Sequence, residues 1–314
     1  MKILFTSVGR RVELMQAFRS AAERLGEKLE ILGADITTTA PALKFVDKGV
    51  VVPRISDEDY IPFLKKICTE EKIDALIPTI DTDLLLFSQH RDEFGNTRVF
   101  ISSPDKVKIC RDKRFTADYF ESLGLKSPHP VDEVEKYKGG FPAFIKPKDG
   151  SSSINAYRVS NEADLREIAA RVPDYIIQPF ITGTEYTVDI FCDWDGEPVF
   201  ITPRIRLAVR AGEVLKTEIR QDKQIISEMK RLCRDFKPRG QITVQLIKTK
   251  DGTDWYIEIN PRFGGGAPLS IKAGADSAEA VIRLLRGEGL SYQPHAVTDG
   301  AIYSRFDQSV RVDE

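Results

Sequence analysis

Cysteine and histidine are scarce in this chain. Cys68, Cys110, Cys192 and Cys233 are scattered through 314 residues without a C-x-x-C pair. That leaves no basis for a disulfide framework or a cysteine-type zinc site, and it makes a reducing cytoplasm the expected setting. His90, His129 and His295 lie far apart, so an imidazole metal cluster is not expected either. An excess of charge is also missing. The 46 basic and 48 acidic residues leave a net charge of −2, so neither nucleic acid nor an anionic membrane is an expected partner. No apolar run approaches the roughly 20 residues that span a bilayer. Met1–Thr6 is too short for a signal peptide and reads as a buried strand. No repeat or low-complexity segment stands out. What is present is 41% hydrophobic and 30% charged, a globular composition with length for two or three domains.

The first hundred residues alternate strand and helix patterns. Ile3–Thr6, Leu29–Gly33, Val50–Val52, Ala75–Ile77 and Val99–Ile101 are short apolar runs, and helical spacing follows Gly9 and fills Asp57–Glu71. Such alternation predicts a parallel sheet covered on both faces, with ligands at the carboxyl ends of its strands. That places Ser7–Arg11, Asp35 and Thr79–Asp83 near a site. Ser103-Pro104-Asp105 reads as a capped helix start, and a domain boundary is expected near residue 104. Beyond it strands dominate: Phe144–Lys146, Ala156–Val159, Tyr175–Gln178, Glu185–Phe191, Val199–Thr202, Gln241–Lys248 and Trp255–Ile259. Asp195-Gly196 and Asp251-Gly252 are hairpin signals between such runs. The expected fold class is α/β followed by α+β.

Four segments could carry chemistry. In Glu258-Ile259-Asn260-Pro261-Arg262-Phe263-Gly264-Gly265-Gly266, Glu258 and Asn260 share one strand face and offer oxygen ligands suited to Mg²⁺. Arg262 follows, with a fork of donors for phosphate or carboxylate. The Asp251-Gly252 hairpin could bring Gln245 beside Glu258. In Lys146-Pro147-Lys148-Asp149-Gly150-Ser151-Ser152-Ser153 a lysine precedes a small-residue loop able to hold phosphate. In Gln178-Pro179-Phe180-Ile181 extended backbone beside apolar side chains could recognise an adenine edge. Lys113 stands on a helix. Each of these, alone, also fits an ordinary turn, strand connection or surface lysine. The stretch Arg204–Gly212 could hold a substrate carboxylate or departing phosphate, or be a solvated basic loop.

Together, and in this order, these segments resemble the ATP-grasp superfamily over nearly the whole chain. The resemblance implies a parallel-sheet domain at 1–104, preceding a two-part grasp. Residues 105–180 would be its N-terminal subdomain, with the phosphate-covering loop, and 181–314 its C-terminal subdomain, with the metal and phosphate site. Lys113 and Lys146 match the basic nucleotide contacts, and Ser151 and Ser152 the phosphate loop. Gln178, Pro179, Phe180 and Ile181 match the adenine hinge, and Glu185 the ribose contact. Gln245, Glu258 and Asn260 match the metal ligands. Arg262 matches the catalytic arginine near the γ-phosphate, with Lys146 beside it in catalysis. ATP and Mg²⁺ are the implied cofactors, with Mn²⁺ as an alternative.

The spacing most resembles the large subunit of carbamoyl phosphate synthetase and related carboxylate–amine ligases. Gly265 stands where the former has a second arginine, which turns the expectation from bicarbonate to a small amino acid or similar carboxylate. The phosphate loop is poorer in glycine than is usual, and Gln178 stands where an acid is common. The implied activity is ATP-dependent C–N bond formation through an acyl phosphate on small-molecule carboxylate and amine substrates, by a cytoplasmic protein that could form a homodimer. The alternatives are a single-unit enzyme using bicarbonate and a non-catalytic ATP-binding module.

Overall fold

A computed structural model describes residues 1–150 and 154–313. Its first unit contains β1 (Lys2–Thr6), α1 (Val12–Arg24), β2 (Glu30–Asp35), β3 (Lys48–Val51), α2 (Tyr60–Glu70), β4 (Ala75–Pro78), α3 (Leu84–His90) and β5 (Arg98–Val99). The strands pair in parallel in the order β3-β2-β1-β4-β5. β1 is central and buried on both faces, which is why Ile3-Leu4-Phe5 is uninterruptedly apolar. α1 buries Leu14, Met15, Phe18, Ala21 and Ala22, a one-sided stripe at helical spacing. The strand order reverses about β1, so the crevice at the carboxyl ends of β1 and β4 opens at Ser7 and Thr79.

α4 (Pro104–Arg111) and α5 (Lys113–Ser122) follow, broken at Asp112, whose side chain caps α5 by accepting from Arg114 N. Ser103 does sit at the start of α4, but its hydroxyl makes no capping bond to that helix. β6 (Ala143–Pro147), β7 (Tyr157–Val159), α6 (Glu162–Ala169) and β8 (Tyr175–Pro179) form an antiparallel sheet, order β7-β6-β8, covered by α6. The larger sheet is built from β9 (Thr184–Cys192), β10 (Pro198–Arg210), β11 (Glu213–Ile219), β12 (Gly240–Lys248), β13 (Asp254–Asn260) and β14 (Ile302–Ser304). Its order is β13-β12-β9-β10-β11-β14. α7 (Lys223–Phe236) covers it, and so does α5: Phe120 shares a core with Val188, Ile190, Met229, Phe236, Val244 and Tyr256. The α4–α5 pair thus precedes the small sheet in sequence, yet α5 packs on the large one.

α8 (Ala267–Lys272) and α9 (Ser277–Leu285) return to α1. Phe5, Phe18 and Phe263 stack edge to face, with ring centroids 4.9 and 5.9 Å apart, and this shared core fixes the loop after β13 against the first unit.

The stretch from Arg204 is a correction. It is no loop: β10 continues to Arg210, and the Ala211-Gly212 turn, both residues left-handed at φ 49° and 78°, reverses the chain into β11. The alternation of Arg204, Arg206 and Arg210 with apolar residues is a strand period. The two hairpins expected at Asp195-Gly196 and Asp251-Gly252 join β9 to β10 and β12 to β13. α3, α8, β11 and β14 were not expected; each is short or follows a turn that carries no proline signal of its own. Among the described residues no helix is long and apolar enough to cross a membrane.

Candidate functional site

Four strands of the large sheet carry a polar patch on one face. Arg204, Thr187, Gln245 and Glu258 form one row of directly paired residues across β10, β9, β12 and β13. Thr202, Asp189, Thr243 and Asn260 form the next row on the same face. Gln245 therefore stands opposite Glu258, as the hairpin requires. The Asn260 amide nitrogen donates to Glu258 Oε1 at 2.9 Å, leaving the Asn260 oxygen free to point elsewhere.

The small sheet faces this patch across a cleft of about 950 Å³ lined by Lys113, Phe144, Lys146, Glu185, Gln245 and Glu258, among others. Lys146 leaves β6 into the cleft and is only 8% exposed. Burial pushes its ammonium down to about 8, against the pull of Glu258; the nearby charge of Lys113 pushes the same way as burial. Lys113 opens α5, and its ammonium donates to the Gly150 carbonyl at 2.8 Å, tying the helix to the start of the small-residue loop. Ser151 and Ser152 lie outside the described residues.

Glu185, at the mouth of the cleft, lies 3.3 Å from the Arg206 guanidinium. Gln178 is buried, and its amide nitrogen donates to the Pro128 carbonyl. Phe180 leans on the cleft residue Phe144, with ring centroids 6.1 Å apart. None of Gln178, Pro179, Phe180 and Ile181 is among the residues that line the cleft itself.

The cleft continues, through Arg206, Gly212, Gln245 and Glu258, into a second cavity of about 1020 Å³ at the seam with the first unit. Here Arg262 donates to Asp81 at 2.8 Å, a contact between the loop after β13 and the loop after β4. Arg204 is buried and donates through Nε to Asp189 at 2.8 Å, while the Ser270 hydroxyl donates to the same carboxylate at 2.6 Å. The glycines are there for space. A Cβ on Gly266 would stand 2.6 Å from Arg204 Nη2, and one on Gly265 2.9 Å from Arg11 Nη1. In the first unit, buried Asp83 accepts from the hydroxyls of Thr6, Ser7 and Tyr60, and burial pushes its carboxyl up to about 7.

The donor set fits a hard cation: one carboxylate and two amide oxygens, a set that leaves room for phosphate oxygens. Among the described residues no three or more His, Cys, Asp or Glu side chains cluster as a metal site would. Sequence reasoning reached Lys113, Lys146, Gln245, Glu258, Asn260 and Arg262, and the structure brings all six to the connected cavities. It did not reach Asp189 or Thr243. Their signal was a polar residue at every second position of strands whose other face is apolar.

Residues 110–266 match the model of the ATP-grasp domain, and residues 3–101 that of a PylC-like N-terminal domain. The chain is 24% identical over 251 residues to D-alanine–D-alanine ligase B of Clostridium perfringens, covering 68% of this chain and 82% of that one. It is 24% identical over 224 residues to a 3-methyl-D-ornithine–L-lysine ligase of Methanosarcina acetivorans, over 70% of this chain but only 58% of the relative's length. Among solved structures, a biotin carboxylase of Campylobacter jejuni superposes with a TM-score of 0.76 at 17% identity, over 96% of this chain and 74% of that one. An L-amino acid ligase of Bacillus licheniformis does so with a TM-score of 0.72 at 20% identity, over 91% and 74%.

Proposed function

The chain belongs to the ATP-grasp family, and from that premise we propose that it is an ATP- and Mg²⁺-dependent carboxylate–amine ligase acting on a small amino acid or similar carboxylate through an acyl phosphate. The observation that carries this reading is the arrangement in one cleft: Lys146 of the small sheet and Lys113 of α5, an oxygen-donor row on the large sheet, and an arginine-lined cavity continuous with both.

A carboxylate is a poor electrophile at neutral pH. Transfer of the γ-phosphoryl of ATP to one of its oxygens makes an acyl phosphate, and an amine then displaces phosphate. Little covalent chemistry falls to the protein; positioning and charge neutralisation do the work. Lys113 and Lys146 hold the α- and β-phosphates. Glu185 takes the ribose hydroxyls and the Gln178–Ile181 backbone the adenine. Arg262 steadies the transferring group. Glu258 and Asn260, with Gln245 at their edge, would hold Mg²⁺ or Mn²⁺, which when bound neutralises phosphate charge.

Gly265, which stands where carbamoyl phosphate synthetase has a second arginine, favours the amino-acid reading over the bicarbonate one. Hydroxylamine trapping tests the mechanism. With MgATP and the right acid, added hydroxylamine should yield a hydroxamate and ADP in equal amounts. ADP formation without hydroxamate would contradict an acyl phosphate.

A further inference from the structure

Four arginines line the second cavity: Arg11, Arg204, Arg206 and Arg262. Three are ion-paired, Arg204 with Asp189, Arg206 with Glu185 and Arg262 with Asp81. Among the described residues no carboxylate stands at ion-pair distance from Arg11, whose side chain donates to the Thr79 carbonyl at 3.2 Å. Burial and the neighbouring charge of Arg262 push the Arg11 guanidinium down to about 10, against the pull of Glu213 and Asp81. A cation held this way is costly unless an anion arrives. Beside it, Arg204 is 2% exposed and its Nη1 has no hydrogen-bond partner. The two guanidinium groups border one glycine turn of the cavity wall, Arg11 at Gly265 and Arg204 at Gly266.

The position matters as much as the charge. Arg11 also lines an outer chamber of about 650 Å³ with Ser7, Gly9, Glu13 and Arg305, which Lys146, Glu258 and Asn260 do not line. Arg11 thus lies on the side of the cavity away from Lys113 and Lys146, neither of which lines it. Glu213 and Asp81 offset part of the Arg11 charge, which disfavours a multiply charged anion, and two planar forks suit a carboxylate.

Resting on the ligase reading above, we propose that Arg11 and Arg204 bind a substrate carboxylate that is not the one activated. At least one substrate then carries a spare carboxylate: either the amine is itself an amino acid, or the activated acid is a dicarboxylate. Ammonia with a simple monocarboxylic acid leaves this subsite unused.

Calorimetric titration of the full chain, first saturated with MgADP, tests this. The probes are α-amino acids of both hands and short dicarboxylates, each beside its amide. In the wild type at least one acid should bind roughly ten- to a hundredfold more tightly than its amide. Which series responds, amino acids or dicarboxylates, identifies the source of the carboxylate. Arg11→Ala should abolish most of that difference, and Arg11→Lys should restore part of it. Gly265→Ala, which places a methyl group 2.9 Å from Arg11 Nη1 without changing any charge, should weaken the same acid. MgADP binding should be the same in all three variants. The proposal is overturned if no probe prefers acid to amide, if none binds, or if Arg11→Ala keeps the full preference. Failure of MgADP to bind the wild type would instead overturn the nucleotide assignment of the cleft.

Discussion

Lys146→Met should make the protein more stable and a worse ATP binder, two effects of opposite sign from one buried charge. Lys146 is 8% exposed, and burial lowers its ammonium from 10.5 to about 8. Between those values the unfolded chain holds the proton and the folded chain does not. The shift of roughly 2.5 units is worth on the order of 3 kcal/mol, and it opposes folding at every pH below about 8. Methionine keeps the apolar stem and removes the charge, so most of this cost should vanish. The urea midpoint should rise at pH 7, read by the fluorescence of Trp194 and Trp255. The gain should shrink as the pH climbs from about 8 to 10.5, because the wild-type lysine then folds uncharged. Nucleotide binding should move the other way. Losing charge-assisted bonds to the distal phosphates should weaken ATP by about 1.5–3 kcal/mol and leave AMP nearly untouched. A variant less stable than wild type would refute the claim of an uncompensated cation. Equal losses for ATP and AMP would remove Lys146 from the phosphate site.

Three further outcomes follow from the same geometry. Glu258→Ala should abolish turnover and the Mg²⁺ dependence of nucleotide binding, since the only carboxylate of the donor row disappears; unchanged activity would remove the metal assignment. Asp83 is held protonated in the fold to about pH 7 but ionises near 3.8 when unfolded, so its contribution to stability should be lost between about pH 4 and 7. Asp83→Asn should flatten that part of the stability profile in urea titrations, and an unaltered slope would show that the carboxyl is not the source. Gly266→Ala should cost about 1–3 kcal/mol in the same titration, because its Cβ meets both Arg204 Nη2 and Val214 Cγ1 at 2.6 Å; a neutral effect would mean that the Arg204–Asp189 pair can move aside.

Much of this site was readable from local pattern. Glu258 and Asn260 share a face because strands alternate, and the Asp251-Gly252 turn sets the register that puts Gln245 opposite Glu258. The parallel order of the first sheet follows from alternating strands and helices. The arginines show where pattern ran out. Arg204 to Arg210 fits either a binding segment or a solvated basic loop by composition, and only its period of two marks it as the strand that it is. Arg262 meets Asp81 across 181 residues, and Arg11 reaches Gly265 from the other end of the chain; no local rule encodes such separations. The same holds for α5, which lies on a sheet whose strands all come after an intervening one.

The central claim is that this cleft uses MgATP to join an activated carboxylate to an amine. Substrate-dependent ADP formation tests it most directly, screened over single amino acids, amino-acid pairs, and bicarbonate with ammonia, each with MgATP. The account predicts ADP and phosphate release that requires an amino acid and is absent in Glu258→Ala. Release driven by bicarbonate with no response to any amino acid would contradict the assigned substrate class, and no release with any acid, despite MgATP binding, would reduce the protein to a binding module.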